Sequence, residues 1–104
     1  MLRASPAQVG RTEEAEALFR EALEARRIAL GSTDPATLVV INNLGLMLRD
    51  LGRWNEAHAL LSEEVAARRE GQGDSHPDTL TSMNNLASML KGQQRWERTA
   101  KGPP

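Results

Sequence analysis

The chain contains no cysteine and only three aromatic side chains, Phe19, Trp54 and Trp96. Without cysteine it has neither disulfides nor thiolate metal ligands, which favours a reducing compartment. The 13 basic and 14 acidic residues nearly balance, so the basic stripe with stacking rings that is typical of nucleic-acid binders is absent. No apolar run approaches the roughly 18 residues of a membrane-spanning helix.

The first residues, 1–6, lack the apolar centre of a secretory signal. Arg3, Ser5 and Arg11 occur in the first eleven residues, which contain no acidic residue, and this leaves an organelle-targeting segment as an alternative. We expect a cytoplasmic protein that has neither a nucleic-acid partner nor a membrane partner.

The organising feature is an internal repeat. The nine residues 37–45 return at 79–87 with the same spacing, a period of 79 − 37 = 42 residues. Aligning 10–51 with 52–93 gives 19 identities. A period of roughly 20 to 50 residues indicates stacked supersecondary units, none of which buries its apolar face alone.

Each unit is predicted to contain two helices, because its apolar residues recur at helical spacing and no alternating strand pattern competes. Gly31 and Gly52 are typical helix ends, and Asp34 is a typical cap with Pro35 at the first helical position. The predicted helices run over 13–30, 35–51, 54–70 and 77–91.

The predicted fold class is therefore all-α. It is an α-solenoid of antiparallel helix pairs with about two repeats and incomplete ends. Residues 10–98 form the repeat domain. We expect residues 1–9 to be an irregular N-terminal remnant and residues 99–104 to be a disordered tail.

At about 100° per residue, the second predicted helix has two different faces. The predicted core face comprises Leu38, Ile41, Leu44, Gly45 and Leu48, extended by Val40, Met47 and Leu51. The opposite face is the candidate site, and it comprises Val39, Asn42, Asn43, Leu46, Arg49 and Asp50. Its counterparts one period later are Thr81, Asn84, Asn85, Ser88, Lys91 and Gly92.

These residues carry a family resemblance. The signature positions are Asn43-Leu44-Gly45, Leu48, Gly52, Trp54, Ala57 and Leu61, repeated in part by Asn85-Leu86-Ala87, Leu90 and Trp96. Over residues 10–98 this spacing resembles the tetratricopeptide repeat. The period exceeds the usual roughly 34 residues. With its His-Pro-Asp-Thr helix start, the sequence looks like the 42-residue variety found in kinesin light chains.

The resemblance implies a protein-interaction scaffold. In tetratricopeptide arrays the proline-led helices line a concave groove, and Asn43 and Asn85 match the asparagine that grips a peptide backbone. An amide offers both a donor and an acceptor. Arg49 and Lys91 would favour acidic ligands, and Val39 and Leu46 would supply an apolar surface for the peptide. The alternative is that the asparagines bond to a neighbouring helix or face water.

The sequence gives little support for a catalytic site or a metal site. His58 and His76 are the only histidines and lie in different kinds of element, whereas a metal needs three or four converging ligands. Ser75, His76 and Asp78 resemble a catalytic set, but Asp34 replaces His76 in the first copy, which indicates helix-start chemistry. We expect no enzyme activity, no cofactor and no metal.

Two features depart from the repeat. Glu64 replaces the small Ala22 of the first copy, and a carboxylate at an inter-helix contact is costly unless Arg68, four residues on, pairs with it. The sequence thus predicts a loosened contact and a higher melting temperature for Glu64→Ala.

The second departure is at the ends of the array, where apolar residues should be partly uncovered. They are Leu18, Phe19, Met83, Leu86 and Leu90. Self-association through the ends, or a place in a longer array of a signalling or motor-adaptor protein, follows as an alternative function. Trp54 and Trp96 are expected in the core.

Overall fold

The computed structural model of the protein describes residues 6–101, with side chains described for residues 10–99. These residues form four helices and no strand: α1 (Pro6–Leu30), α2 (Pro35–Asp50), α3 (Trp54–Gln72) and α4 (Pro77–Lys101). Consecutive helices pack against each other, and α2 also contacts α4. The short connections turn each helix back along its neighbour. The predicted all-α class is confirmed.

Glycines end the first three helices. Gly31, Gly52 and Gly73 have φ values of 91°, 77° and 91°, a conformation that other residues adopt at a cost. The predicted cap of α2 is also confirmed, since the Asp34 carboxylate accepts a 2.8 Å hydrogen bond from the Ala36 backbone N–H.

Helix α1 begins earlier than predicted. It starts at Pro6, inside the segment 1–9 for which an irregular conformation was expected. Proline is well suited to a first helical position because its missing N–H has no helical partner there. Residues 1–5 lie outside the described residues, and so do residues 102–104.

Helix α4 ends later than predicted. It passes the expected end at Lys91 and runs to Lys101, inside the segment 99–104 that was expected to be disordered. One period after the turn glycine Gly52 the chain has Gln94. A glutamine resists the positive φ that such a turn needs, which explains why the helix continues.

The core lies around α2. Its predicted apolar face is confirmed, because Leu38, Ile41, Leu44 and Leu48 are at most 2 % exposed. Leu51 is a correction. It is 44 % exposed because it follows the last residue of α2 and sits in the turn.

Helices α2 and α3 approach each other closely at Gly45 and Leu61. A Cβ atom added at Gly45 would stand 2.7 Å from Leu61 Cδ2 and 2.9 Å from its Cγ. Glycine is required here by space, and its helical φ is ordinary.

The two tryptophans differ. Trp54 packs on α4, where a Cβ at Gly92 would lie 3.3 Å from Trp54 Cη2. The prediction of a core position was wrong for Trp96, which is 57 % exposed. Because α4 does not turn at residue 94, Trp96 is carried along α4 to a wide cleft of about 570 Å³ that it shares with Trp54.

Long charged side chains bridge α1 and α3. The Arg27 guanidinium donates to both carboxylate oxygens of Glu63, at 2.7 and 3.0 Å. Arg53 and Arg20 donate to Glu16, and these hydrogen bonds lower the pKa of the Glu16 carboxyl, that from Arg53 having the larger effect. The Arg27–Glu63 and Arg53–Glu16 pairs link α1 to α3 and to the residue that precedes it.

Thr37 and Thr79 occupy equivalent positions, and the hydroxyl of only one is hydrogen-bonded. Thr37 Oγ1 donates to the Gly31 carbonyl at 2.7 Å, whereas the buried Thr79 Oγ1 has no partner among the described residues. We expect Thr37→Val to lower the free energy of unfolding by about 1 kcal/mol, since it leaves the carbonyl unpaired.

The equivalent change is its control. Thr79→Val removes an unpaired hydroxyl, so it should leave stability unchanged or raise it by about 1 kcal/mol. Urea unfolding followed by circular dichroism measures both. Equal losses in the two variants would contradict this difference.

Candidate functional site

The ten predicted peptide-binding residues lie outside the core. On α2, Val39 is 52 % exposed and Asn43 is exposed, while Asn42, Leu46 and Arg49 are half-buried. On α4, Asn85 is half-buried and the others are exposed, namely Thr81, Asn84, Ser88 and Lys91.

A small depression of about 110 Å³ separates α2 from α4. We call it the α2–α4 depression. It brings together three predicted residues from two repeats, Val39, Asn42 and Thr81. Its other lining residues, missed as site residues by the sequence analysis, are Glu64, Arg68 and Asp78.

A buried charge forms the floor of this depression. Glu64 is only 2 % exposed. Its Oε2 accepts a 2.8 Å hydrogen bond from Arg68 Nε, and its Oε1 accepts a 2.9 Å hydrogen bond from Asn42 Nδ2. The expected partner Arg68 is thus present, together with a second partner that the sequence did not indicate.

Asn42 therefore bonds to a neighbouring helix, which was the alternative interpretation of the asparagines. Its Nδ2 is directed to Glu64 on α3. The bond holds the side chain at the wall of the α2–α4 depression, so it restricts the amide to one orientation.

Asn43 does not line the α2–α4 depression. Together with Leu46 it lines a second depression, of about 410 Å³, between α1 and α2. We call this the α1–α2 depression. Its other lining residues are Thr12, Phe19, Met47, Asp50 and Leu51. Adjacent residues of α2 thus face different neighbours.

The remaining candidates line neither depression. On α4 they are Asn84, Asn85, Ser88 and Lys91. On α2, Arg49 donates to the adjacent Asp50 carboxylate at 3.0 and 3.1 Å, which offsets its charge. The predicted preference for acidic ligands therefore has less support on α2 than the sequence suggested.

A signal for the missed residues was present in the sequence. Glu64 breaks the repeat where the first copy has Ala22, and Arg68 follows at the i, i+4 spacing. A charged residue inserted at an inter-helix position indicates a partner for it. Asp78 was assigned only to the start of its helix.

Other kinds of site are not apparent in the described residues. No group of three or more histidine, aspartate or glutamate side chains within residues 10–99 is placed to hold a metal ion. None of the four helices over residues 6–101 is both long enough and apolar enough to cross a membrane.

Comparison with known families agrees with the all-helical repeat fold. The family model described as tetratricopeptide repeat matches residues 7–70 and 41–98, overlapping spans that together cover 7–98. The chain belongs to the tetratricopeptide repeat family. Tetratricopeptide repeats are non-catalytic modules that generally mediate protein–protein interaction. No curated protein matches the chain.

In this tetratricopeptide protein, α2 and α3 form a complete helix pair. In the order that the family uses, α4 is the first helix of the following pair and α1 the second helix of the preceding one. The α2–α4 depression therefore lies between the first helices of successive repeats, with Glu64 and Arg68 contributed by the second helix between them.

Proposed function

We propose that the chain binds an extended peptide or protein segment along the exposed surfaces of α2 and α4, and that it catalyses no reaction. The observation that carries this proposal is the α2–α4 depression. Val39 and Asn42 belong to one repeat and Thr81 to the next, 42 residues after Val39, and all three line this depression.

The neighbouring α1–α2 depression supports a longer contact. Asn43 and Leu46 line it on the other side of α2. A ligand that crosses α2 would contact Val39 and Asn42 on one side and Asn43 and Leu46 on the other. The amide groups could bond to the main chain of a peptide ligand, and the apolar groups could contact a few of its apolar side chains.

The finer assignments belong to the same proposal. The 42-residue period and the His-Pro-Asp-Thr start favour the kinesin light chain-like variety of the repeat, acting as a scaffold in the cytoplasm. The near balance of 13 basic and 14 acidic residues favours a protein partner over nucleic acid or a membrane surface.

A peptide selection tests the proposal. Twelve-residue peptides displayed on phage are selected on the chain, and the affinity of a fluorescent copy of a selected peptide is measured by polarisation. We expect Val39→Ser and Thr81→Arg each to weaken binding by about tenfold, the first by removing apolar contact and the second by filling the depression.

Ile28→Ser is the matched control. Ile28 is an aliphatic residue of α1 that is 80 % exposed and lies outside both depressions. Its replacement should leave the affinity unchanged. Selected peptides that bind equally well to Val39→Ser and Thr81→Arg, or a selection that enriches no peptide, would refute the proposed function.

Self-association is the second candidate, and the exposure of α4 favours it. Leu80 and Leu90 are 47 % and 45 % exposed, while their equivalents Leu38 and Leu48 are buried. A second copy, or further repeats of a longer array, would cover them. Sedimentation across a range of concentrations tests pairing of this chain, and a concentration-independent monomer would exclude it.

A further inference from the structure

We propose that α1 of a second copy packs along α4 and completes the helix pair that α4 begins. The copies then join head to tail, and each continues the repeat of the one before it. This inference specifies the surfaces that meet in self-association, the second candidate function, and it rests on that candidate. It does not depend on peptide binding.

One face of α4 lacks the helix that covers the equivalent face of α2. On α2 this face includes Gly45, which lies against Leu61 of α3. The equivalent of Gly45 one period later is the exposed Ala87, and the exposed Leu80 and Leu90 lie on the same face at helical spacing. Within the described helices none runs along this face, because α4 continues straight where α2 ends in a turn.

Helix α1 is the equivalent of α3, and it lacks a neighbour on one side. On α3, Leu60 and Leu61 pack against α2. One period earlier these residues are Leu18 and Phe19. Leu18 is 59 % exposed, since no helix precedes α1 among the described residues. The uncovered face of α1 is therefore the face that, on α3, covers α2.

The two uncovered faces also match in register. Residues 10–93 make up two whole periods, 2 × 42 = 84 residues, so residue 10 of a second copy falls where the array places residue 94. Each α1 then takes the position relative to α4 that α3 takes relative to α2. Such a contact joins different surfaces of the two copies, so one α1 and one α4 stay free and the assembly can grow.

Charge is complementary at this junction. Within the chain, Arg27 of α1 donates to both oxygens of Glu63 of α3, at 2.7 and 3.0 Å. The same pair one period later consists of Arg69 of one copy and Glu21 of the next. Glu21 is exposed and forms no ion pair within residues 10–99. Arg69 stands 3.6 Å from the exposed Asp74 carboxylate, a weak pair that can be exchanged.

The junction is expected to be weaker than the contacts within the chain. The equivalent of the Arg53–Glu16 pair consists of His58 and Arg11 of the next copy, which form no ion pair. An alanine also replaces Gly45, so the two helices stand further apart than α2 and α3 do. Assembly should therefore be reversible and depend on concentration.

Two variants that each block one face test the inference. Leu18→Glu places a charge on the uncovered face of α1, and Leu90→Glu does so on α4. In sedimentation from about 10 µM to about 1 mM, the average mass of the parent chain should rise with concentration, and each variant should associate about tenfold more weakly. Mixed in equal amounts, the two variants should form a dimer that grows no further, because together they have one free α1 and one free α4.

Charge reversal tests the register. Glu21→Arg and Arg69→Glu should each weaken association about fivefold. The double variant should recover most of this loss, since the pair forms again with its signs exchanged. Glu24→Arg is the charge-matched control and should leave association unchanged. The equivalent of Glu24 on α3 is Ala66, which stays exposed although α3 packs against both α2 and α4.

Circular dichroism shows whether each variant is folded, and all five substituted residues are exposed. A parent chain that stays monomeric up to about 1 mM would overturn self-association and this inference together. Association that Leu90→Glu abolishes and Leu18→Glu leaves unchanged, or a mixture that forms no dimer, would overturn this inference alone. Neither residue lines the α2–α4 depression, so none of these results decides peptide binding.

Discussion

Replacing Glu64 by alanine is expected to lower the free energy of unfolding by about 3 kcal/mol, even though the first copy has alanine at this position. The reason is the set of partners that the structure gives to Glu64. Arg68 would keep its charge at 7 % exposure with only the carboxylate of the exposed Asp78, 3.8 Å from its Nη1, as a counter-ion, and Asn42 would lose its acceptor.

This result is opposite to the sequence expectation that Glu64→Ala raises the melting temperature. That expectation weighed the cost of burying a carboxylate and allowed for Arg68 alone. In the structure both carboxylate oxygens accept hydrogen bonds, so removing the carboxylate costs more than it relieves.

Two further variants make the prediction specific. Glu63→Ala removes a carboxylate one residue away, whose pair with Arg27 is about a third exposed. It should cost only about 0.5 kcal/mol, since solvent screens such pairs. The double variant Glu64→Leu/Arg68→Met replaces both charges by apolar groups and should recover most of the stability.

Denaturant unfolding followed by circular dichroism measures these differences. A Glu64→Ala variant as stable as the parent chain would show that the pair contributes nothing. A double variant as unstable as Glu64→Ala would show that lost packing is the cause and the unpaired charge is not.

The second large effect is expected from Gly45→Ala, which should lower the free energy of unfolding by about 2 kcal/mol. Alanine normally stabilises a helix relative to glycine by about 1 kcal/mol. Here the added methyl would stand 2.7 Å from Leu61 Cδ2 and 2.9 Å from its Cγ, so α2 and α3 must separate or Leu61 must leave its buried position.

Gly71→Ala is the matched control. Gly71 lies in α3 with open space around its Cβ direction, so the same substitution should stabilise the protein by up to about 1 kcal/mol. Thermal unfolding should show a decrease of about 10 °C for Gly45→Ala. Changes of the same sign at the two positions would contradict the close approach of α2 and α3.

Much of the fold followed from the sequence because it depends on local rules. Helical periodicity placed Leu38, Ile41, Leu44 and Leu48 in the core, where the structure has them. The cap at Asp34 followed from its position before a proline. These features need no knowledge of distant contacts.

The ends of the helices were harder to predict. The repeat suggested a turn near residue 94 like that at Gly52, but identity at a single position decides a turn with positive φ. Gln94 does not favour it, so α4 continues and Trp96 stays exposed. A prediction based on what the two repeats share does not detect the difference between Gly52 and Gln94.

For the candidate site, the sequence predicted only which face of the helix carries it. The helical wheel separated Val39 and Asn42 from the core, but it could not assign neighbouring helices. The structure places Asn42 beside α4 and Asn43 beside α1. It also adds Glu64 and Arg68 of α3 to the site. The hydrogen bond between Asn42 and Glu64 joins residues 22 apart in the sequence, and helical periodicity does not predict such a contact.

The most direct test of the account is to locate a bound peptide on the chain. A selected peptide carrying a nitroxide label is added to the ¹⁵N-labelled protein, which has no cysteine and so cannot take up the label. We predict the strongest line broadening at the backbone amides of Val39, Asn42 and Thr81. Broadening centred instead on the α1 surface around Ile28, with these three amides unaffected, would contradict binding between α2 and α4.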